Sequence, residues 1–192
     1  CGTFPINVEA MPIDMLAAPG HKGLLGPQGT GFLYLNKKTK IRPLKQGGTG
    51  SRSEELRQPE LIPDAYECGT QNIHGLAGLK AGIDFIRQVE MEAIRDRENQ
   101  WVRKLLEGLS VIPGVQLFGP PAREVRGSVV SFRVRGLDVS QMNYVLDSYY
   151  GISARSGLHC APLAHQTLGT FPEGTIRLSP GYFNTSEEIE TT

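Results

Sequence analysis

The chain has 192 residues, and 20 Lys and Arg balance 20 Asp and Glu to a formal net charge of zero. That length builds one ordinary domain or parts of two. The charge balance excludes the basic excess that nucleic-acid and anionic-membrane binders need. At 39% hydrophobic and 21% charged residues the composition is that of a globular protein, and no apolar run approaches the roughly 18–20 residues of a spanning helix. Cys1, Cys68 and Cys160 are odd in number and widely spaced, so they form no disulfide framework and point to a reducing, cytoplasmic setting. Gly (23) and Pro (13) exceed their usual combined share of about 12%, which calls for long loops or close backbone approach to a ligand.

Cys1-Gly2-Thr3 opens the chain with no initiator Met and no signal-peptide pattern. Residues 1–36 are rich in Gly and Pro, and Gly31–Leu35 reads as a buried strand. Residues 37–72 carry Lys37, Lys38, Lys40, Arg42 and Lys45, a Gly47–Ser51 loop and scattered prolines, and read mainly as loop. From Ile73 apolar residues recur at three and four positions through Leu109, predicting one long helix bent near 95–98 and stopped at Pro113-Gly114. Val115–Phe118 and Val129–Val134 read as strands. Val139–Tyr150 reads as a helix with Asp138 as N-cap and Gly151 as its terminal glycine. Ile152–Arg155 and Thr175–Ser179 read as short strands, so residues 115–179 form a β-β-α-β-β unit. Thr185-Ser186-Glu187-Glu188 reads as a capping box opening a helix whose apolar face is not yet written when the chain stops at Thr192. Both ends read as cut from a longer protein. The sequon Asn184-Thr185-Ser186 is set aside for want of a secretory signal.

Four segments could carry chemistry. Lys22, in Ala18-Pro19-Gly20-His21-Lys22-Gly23, has apolar flanks (Met15, Leu16, Leu24, Leu25, Phe32). Burial would favour a neutral amine able to condense with a carbonyl. By spacing alone a plain loop lysine is the better reading; neither a Walker loop nor a dinucleotide fingerprint is present. Cys160, in Arg155-Ser156-Gly157-Leu158-His159-Cys160-Ala161-Pro162, sits in a Gly/Pro-flanked loop that would leave a nucleophile mobile, and Arg155 would favour its thiolate. A buried structural cysteine is the bland alternative. A zinc site from Cys160, His159, His165 and Cys68 is a weak one, because adjacent His-Cys is poor ligand spacing. Arg177, inside the apolar strand Ile176-Arg177-Leu178, is either half of a structural salt bridge or a clamp for a substrate carboxylate. Glu67-Cys68-Gly69-Thr70-Gln71-Asn72 leads into the long helix, where Thr70 is either a phosphate contact or a plain N-cap.

Taken in order, His21-Lys22 before Gly26-Pro27-Gln28-Gly29-Thr30-Gly31, then Gly69-Thr70-Gln71-Asn72, then Arg155-Ser156-Gly157-Leu158-His159-Cys160, then Arg177-Leu178-Ser179 resemble the class V aminotransferase family. Within it they resemble the cysteine desulfurase branch of selenocysteine-lyase type. The resemblance spans essentially the whole chain, and the Arg-x-Gly-x-His-Cys segment is its most specific part. It implies an α/β fold, the C-terminal part of a type I pyridoxal-phosphate (PLP) transferase. Residues 1–88 would be the remainder of the large PLP-binding domain and 89–192 the small α+β domain. It implies a cytoplasmic homodimer that removes sulfur from free L-cysteine, leaving alanine and an enzyme persulfide for a sulfur-acceptor protein.

By the same resemblance Lys22 is the Schiff-base lysine and Cys160 the persulfide-forming nucleophile. Arg177 holds the substrate carboxylate, with Arg155 and His21 as site neighbours. Thr70 reaches the cofactor phosphate of the partner subunit. No metal, nucleic acid or membrane is implied. The family's phosphate loop, ring-stacking histidine and ring-pairing aspartate fall before Cys1, so the chain alone is expected to bind PLP poorly and to be inactive. Two other readings stay open: a class V aminotransferase or other PLP lyase without sulfur transfer, and a zinc-bound or structural interaction module.

Overall fold

The computed structural model describes residues 1–121, 124 and 126–192. The chain divides into two compact units, Cys1–Met91 and Glu92–Thr192.

In the first unit, β1 (Met15–Pro19) pairs antiparallel with β2 (Gly31–Leu35), with Met15 opposite Leu35 and Pro19 opposite Gly31. The expected strand at Gly31–Leu35 is present, but it is not buried: Phe32 and Leu33 are exposed on a two-stranded ribbon. Its partner β1 was not predicted, since Met-Leu-Ala-Ala-Pro shows neither alternation nor β-branching. Residues 37–72 hold no helix or strand, as expected.

Helix α1 (Ile73–Val89) follows, and Asn72 caps it by accepting the Gly75 N–H at 3.0 Å. Three of its glycines, at i, i+3 and i+7, make close approach possible along one face. A Cβ on Gly75 would lie 2.8 Å from Thr30 Cγ2, one on Gly78 2.9 Å from Pro27 Cγ, and one on Gly82 2.5 Å from the Leu24 carbonyl oxygen. The helix backbone therefore rests directly on the Leu24–Thr30 segment.

The single bent helix expected from the periodicity is two helices. Glu90 takes a left-handed φ of 72° between α1 and α2 (Met91–Ser110). The break falls before the charged 95–98 stretch, which stays helical, with Asp96 and Arg97 exposed and Arg95 and Glu98 half-buried.

The second unit is an antiparallel sheet in the order β3 (Val115–Phe118), β4 (Val130–Val134), β6 (Thr175–Leu178), β5 (Arg155–Gly157). Helix α3 (Val139–Tyr150) has the predicted ends. Asp138 accepts from the Ser140 and Gln141 N–H groups, and Gly151 closes the helix in the left-handed region.

The core joins Trp101, Val102, Leu105, Leu106 and Leu109 of α2 to Val130 and Phe132 of β4, Val139 and Leu146 of α3, and Ile176 and Leu178 of β6. Two short helices complete the unit, α4 (Pro162–Thr167) and α5 (Ser186–Thr191). The Thr185–Glu188 capping box forms as predicted. The missing apolar face is supplied by Ile189 alone, which is buried in the core. Lys104 adds bonds to Ser186 and Glu190. The strand expected at Ile152–Arg155 lies at Arg155–Gly157, because Ile152 is spent closing α3: its N–H donates to the Leu146 carbonyl.

Candidate active site

In the first unit, the chain turns between β1 and β2 through residues 20–30. The Gly20 N–H donates to the Thr30 carbonyl at 2.7 Å, the Gly26 N–H to the Gly20 carbonyl at 2.8 Å, and the Leu25 N–H to the Lys22 carbonyl at 2.9 Å. A Cβ on Gly20 would lie 2.2 Å from Thr30 Oγ1, so a side chain there would have to displace the Thr30 hydroxyl. Thr30 is fixed in turn by donating Oγ1–H to the Pro27 carbonyl.

His21 and Lys22 stand exposed on this turn. The apolar flanks do not bury the amine as expected: only Leu24 turns inward, while Met15, Leu25 and Phe32 are themselves exposed. Thr70 is exposed just before α1, and Asn72 rather than Thr70 is the cap. The Gly69 N–H donates to the Gly48 carbonyl at 2.8 Å, which lays the glycine loop along Cys68–Thr70. An accessible primary amine on a hydrogen-bonded turn, an imidazole next to it in sequence and a hydroxyl in a glycine-lined loop are groups whose chemistry fits an aldehyde and a phosphate, the reactive and the anchoring groups of PLP.

In the second unit, side chains alternate across the sheet. Val130, Phe132, Ile176 and Leu178 fill the core face, so Ser131, Arg133 and Arg177 belong to the opposite one. Register places Ser131 beside Arg177 and Arg177 beside Arg155. This explains an arginine inside an apolar strand. Among the described residues no carboxylate pairs with Arg177, and its buried Nε has no protein hydrogen-bond partner. The structural salt bridge considered from sequence is therefore not what holds it.

Cys160 follows β5 directly. It is exposed, on a turn of defined backbone geometry. His159 and Cys160 take left-handed φ values of 50° and 61°, and the Ala161 N–H closes the turn on the Leu158 carbonyl at 2.8 Å. The imidazole of His159 lies with Nε2 3.1 Å from the Arg155 carbonyl. A carbonyl can only accept, so Nε2 is the donor in this bond. Burial holds His159 below the ordinary histidine range; the Arg155 carbonyl opposes this, and the positive charges of Arg177, His165 and Arg155 reinforce it.

His165 is buried, with Nδ1 2.7 Å from Thr170 Oγ1. Among the described residues no group of three or more His, Cys, Asp and Glu side chains gathers for a metal, which leaves the zinc reading without a ligand set. Sequence reasoning did not single out Thr170 or Arg133. Arg133, within Val130–Val134, carried the same signal as Arg177, a charge in an apolar strand.

The class-V aminotransferase family model matches residues 1–191. A probable cysteine desulfurase of Methanothermobacter thermautotrophicus is 37% identical over 194 residues, covering 98% of this chain and 48% of that protein. One from Pyrococcus abyssi is 36% identical over 197 residues, covering 99% and 47%. Among solved structures, the apo cysteine desulfurase of Thermococcus onnurineus superposes with a TM-score of 0.82 at 34% identity, covering 99% of this chain and 48% of that one. The Escherichia coli cysteine desulfurase CsdA superposes with a TM-score of 0.86 at 27% identity, covering 98% and 46%. The chain spans about half the length of the curated relatives it matches.

Proposed function

Because the chain belongs to the class-V aminotransferase family, whose members are PLP-dependent with a type I fold, we propose that it is part of a cysteine desulfurase. The whole protein would take sulfur from free L-cysteine, release alanine and leave a persulfide for a sulfur-acceptor protein. In this reading the unit Cys1–Met91 is the remainder of the large PLP-binding domain, Glu92–Thr192 is the small domain, and the enzyme works as a cytoplasmic homodimer. No helix among the described residues is long and apolar enough to cross a membrane.

Each residue has its task. Lys22 holds the cofactor through its amine and afterwards moves the proton at the substrate Cα. Thr70 would reach the cofactor phosphate of the partner subunit, and His21 would stand among the cofactor-binding residues. Arg177, with Arg155 beside it, binds the substrate carboxylate. PLP, when bound, supplies the electron sink that lets the bonds at Cα and Cβ be broken. The Cys160 thiolate attacks the substrate sulfur: a Cys160 Sγ–S bond forms, the substrate Cβ–S bond breaks with its electron pair left on carbon, Cβ takes up one proton, and Lys22 returns a proton to Cα to complete alanine.

The observation that carries this reading is the exposed thiol of Cys160 on the turn after the strand that sets Arg155 beside Arg177, whose guanidinium has no acidic partner among the described residues. An aminotransferase needs the arginine but has no use for the thiol. Alanine and persulfide formation from cysteine, measured with Cys160 intact and replaced, tests it.

A further inference from the structure

His165 and Thr170 are the most buried polar pair near the candidate site, 6% and 1% exposed, and none of the steps above uses them. Helix α4 is six residues long, begins at Pro162 and has no side-chain cap at Ala161. A helix that short has little stability of its own. What holds it is its far end. The carbonyl of His165 accepts the Thr170 N–H at 2.8 Å and the Phe171 N–H at 3.2 Å, while the imidazole Nδ1 bonds the Thr170 hydroxyl.

Thr170 is itself tied to the sheet. Its carbonyl accepts from the Gly174 N–H and from Arg133 Nη2, and Arg133 Nε donates to the Gly174 carbonyl at 2.7 Å. Gly174 lies so close to β5 that a Cβ there would sit 2.0 Å from the Gly157 oxygen. Segment 170–174 thus grips both ends of the Cys160 turn, Gly157 before it and His165 after it. Inside that grip the His165 ring lies 5.6 Å from the His159 ring, centroid to centroid, and His159 is held at its other side by the Arg155 carbonyl.

We propose that His165 and Thr170 are a positioning pair for the sulfur-transfer step: their buried hydrogen bond fixes α4 and the His159 ring, and so keeps Cys160 in its left-handed, outward-facing turn. The inference rests on Cys160 being the sulfur nucleophile. It replaces a mobile loop by a preset one, so that the ordering cost is met on folding rather than at each turnover. Neither residue touches substrate in this account; both act through the turn.

Thr170→Val keeps the shape of the buried side chain and removes the hydroxyl, leaving the imidazole unpaired. Thr170→Ser keeps the hydroxyl. The first readout uses the full chain without cofactor: amide hydrogen exchange at Ala161 and His165, whose N–H groups close the turn and the first turn of α4. Thr170→Val is expected to speed exchange there by about tenfold, the effect of a buried polar group left unpaired, with β4 amides unchanged and Thr170→Ser within about twofold of the parent. The second readout is cysteine turnover by the PLP-loaded enzyme, where Thr170→Val is expected to lower kcat about tenfold with KM unchanged, and Thr170→Ser to restore it. If Thr170→Val does not fold, His165→Asn takes its place in both measurements.

Unchanged exchange, or faster exchange with unchanged kcat, overturns the positioning role while leaving Cys160 as nucleophile. Full sulfur release by Cys160→Ser overturns the underlying reading, and the positioning role with it.

Discussion

Arg155 and Arg177 stand directly opposite one another in the β5–β6 register, two like charges that pair with no carboxylate among the described residues. Like charges facing across strands destabilise a sheet. The arrangement suits a site where an anion arrives from outside, and Arg177 Nε is already withdrawn from water with no protein acceptor. Arg177→Ala is expected to lower kcat/KM for cysteine roughly 10–100-fold, the contribution of about 1.5–3 kcal/mol from a charge-assisted bond, without lowering the melting temperature. Normal substrate affinity in a variant that melts early would return Arg177 to a purely structural role.

In the whole protein of which this chain is part, Lys22→Ala is expected to abolish both the visible absorbance of bound PLP and all turnover, since an exposed amine on the glycine-closed turn is the group assigned to the cofactor aldehyde. Absorbance spectra and alanine assays on the purified variant check this. A yellow, active variant would remove Lys22 from the mechanism.

Gly82→Ala sets two effects against each other. Alanine favours a helix by about 1 kcal/mol, but its Cβ would lie 2.5 Å from the Leu24 carbonyl and 2.8 Å from Leu25 backbone atoms. Backbone cannot yield as a side chain can, and overpacking costs about 1–3 kcal/mol. The net effect expected is a lower melting temperature by calorimetry. Gly108→Ala, where a Cβ meets nothing within 4 Å, is expected to raise it.

Two groups in the second unit make stability depend on pH with opposite signs. Burial holds His159 below its ordinary value of 6.5, so the unfolded chain binds the proton more readily. His159 therefore contributes stability above about pH 6.5 that is lost as pH falls through its folded value. Burial raises Glu98, so its stability contribution is present in acid and lost as pH rises through the carboxylate range. Melting temperatures between pH 4 and 8 should show His159→Gln flattening the acid-side decline, and Glu98→Gln more stable than the parent at pH 7 with the gap closing toward pH 4.

What was legible in the sequence followed from local rules. Asp138 and Gly151 marked the ends of α3 because a cap and a left-handed glycine are written in the residues themselves. The Thr185–Glu188 box was legible for the same reason. What was not legible depends on partners distant in the chain. The break at Glu90 needs a left-handed residue that no side-chain pattern announces. The exposure of Lys22 depends on how a ribbon turns its apolar residues outward, and β1 exists only because β2 pairs with it. The anchored Cys160 turn depends on Arg133 and Thr170, from β4 and the stretch before β6. Gly157 and Pro162 suggested mobility because flanking residues report chain freedom but not the bonds that remove it.

Which cysteine receives sulfur decides the role of the Cys160 turn. Cys160 is exposed on the turn after β5, whereas Cys1 and Cys68 are half-buried in the other unit. Alanine release and persulfide content, measured side by side for Cys1→Ser, Cys68→Ser and Cys160→Ser in the PLP-loaded enzyme, address this directly. Serine keeps the size and hydrogen bonding of the thiol but is a poor nucleophile toward sulfur. The expected result is that Cys160→Ser retains bound PLP and cysteine binding yet releases almost no alanine and carries no persulfide, while the other two stay near the parent. Sulfur transfer that survives in Cys160→Ser and is lost in Cys68→Ser would contradict the account.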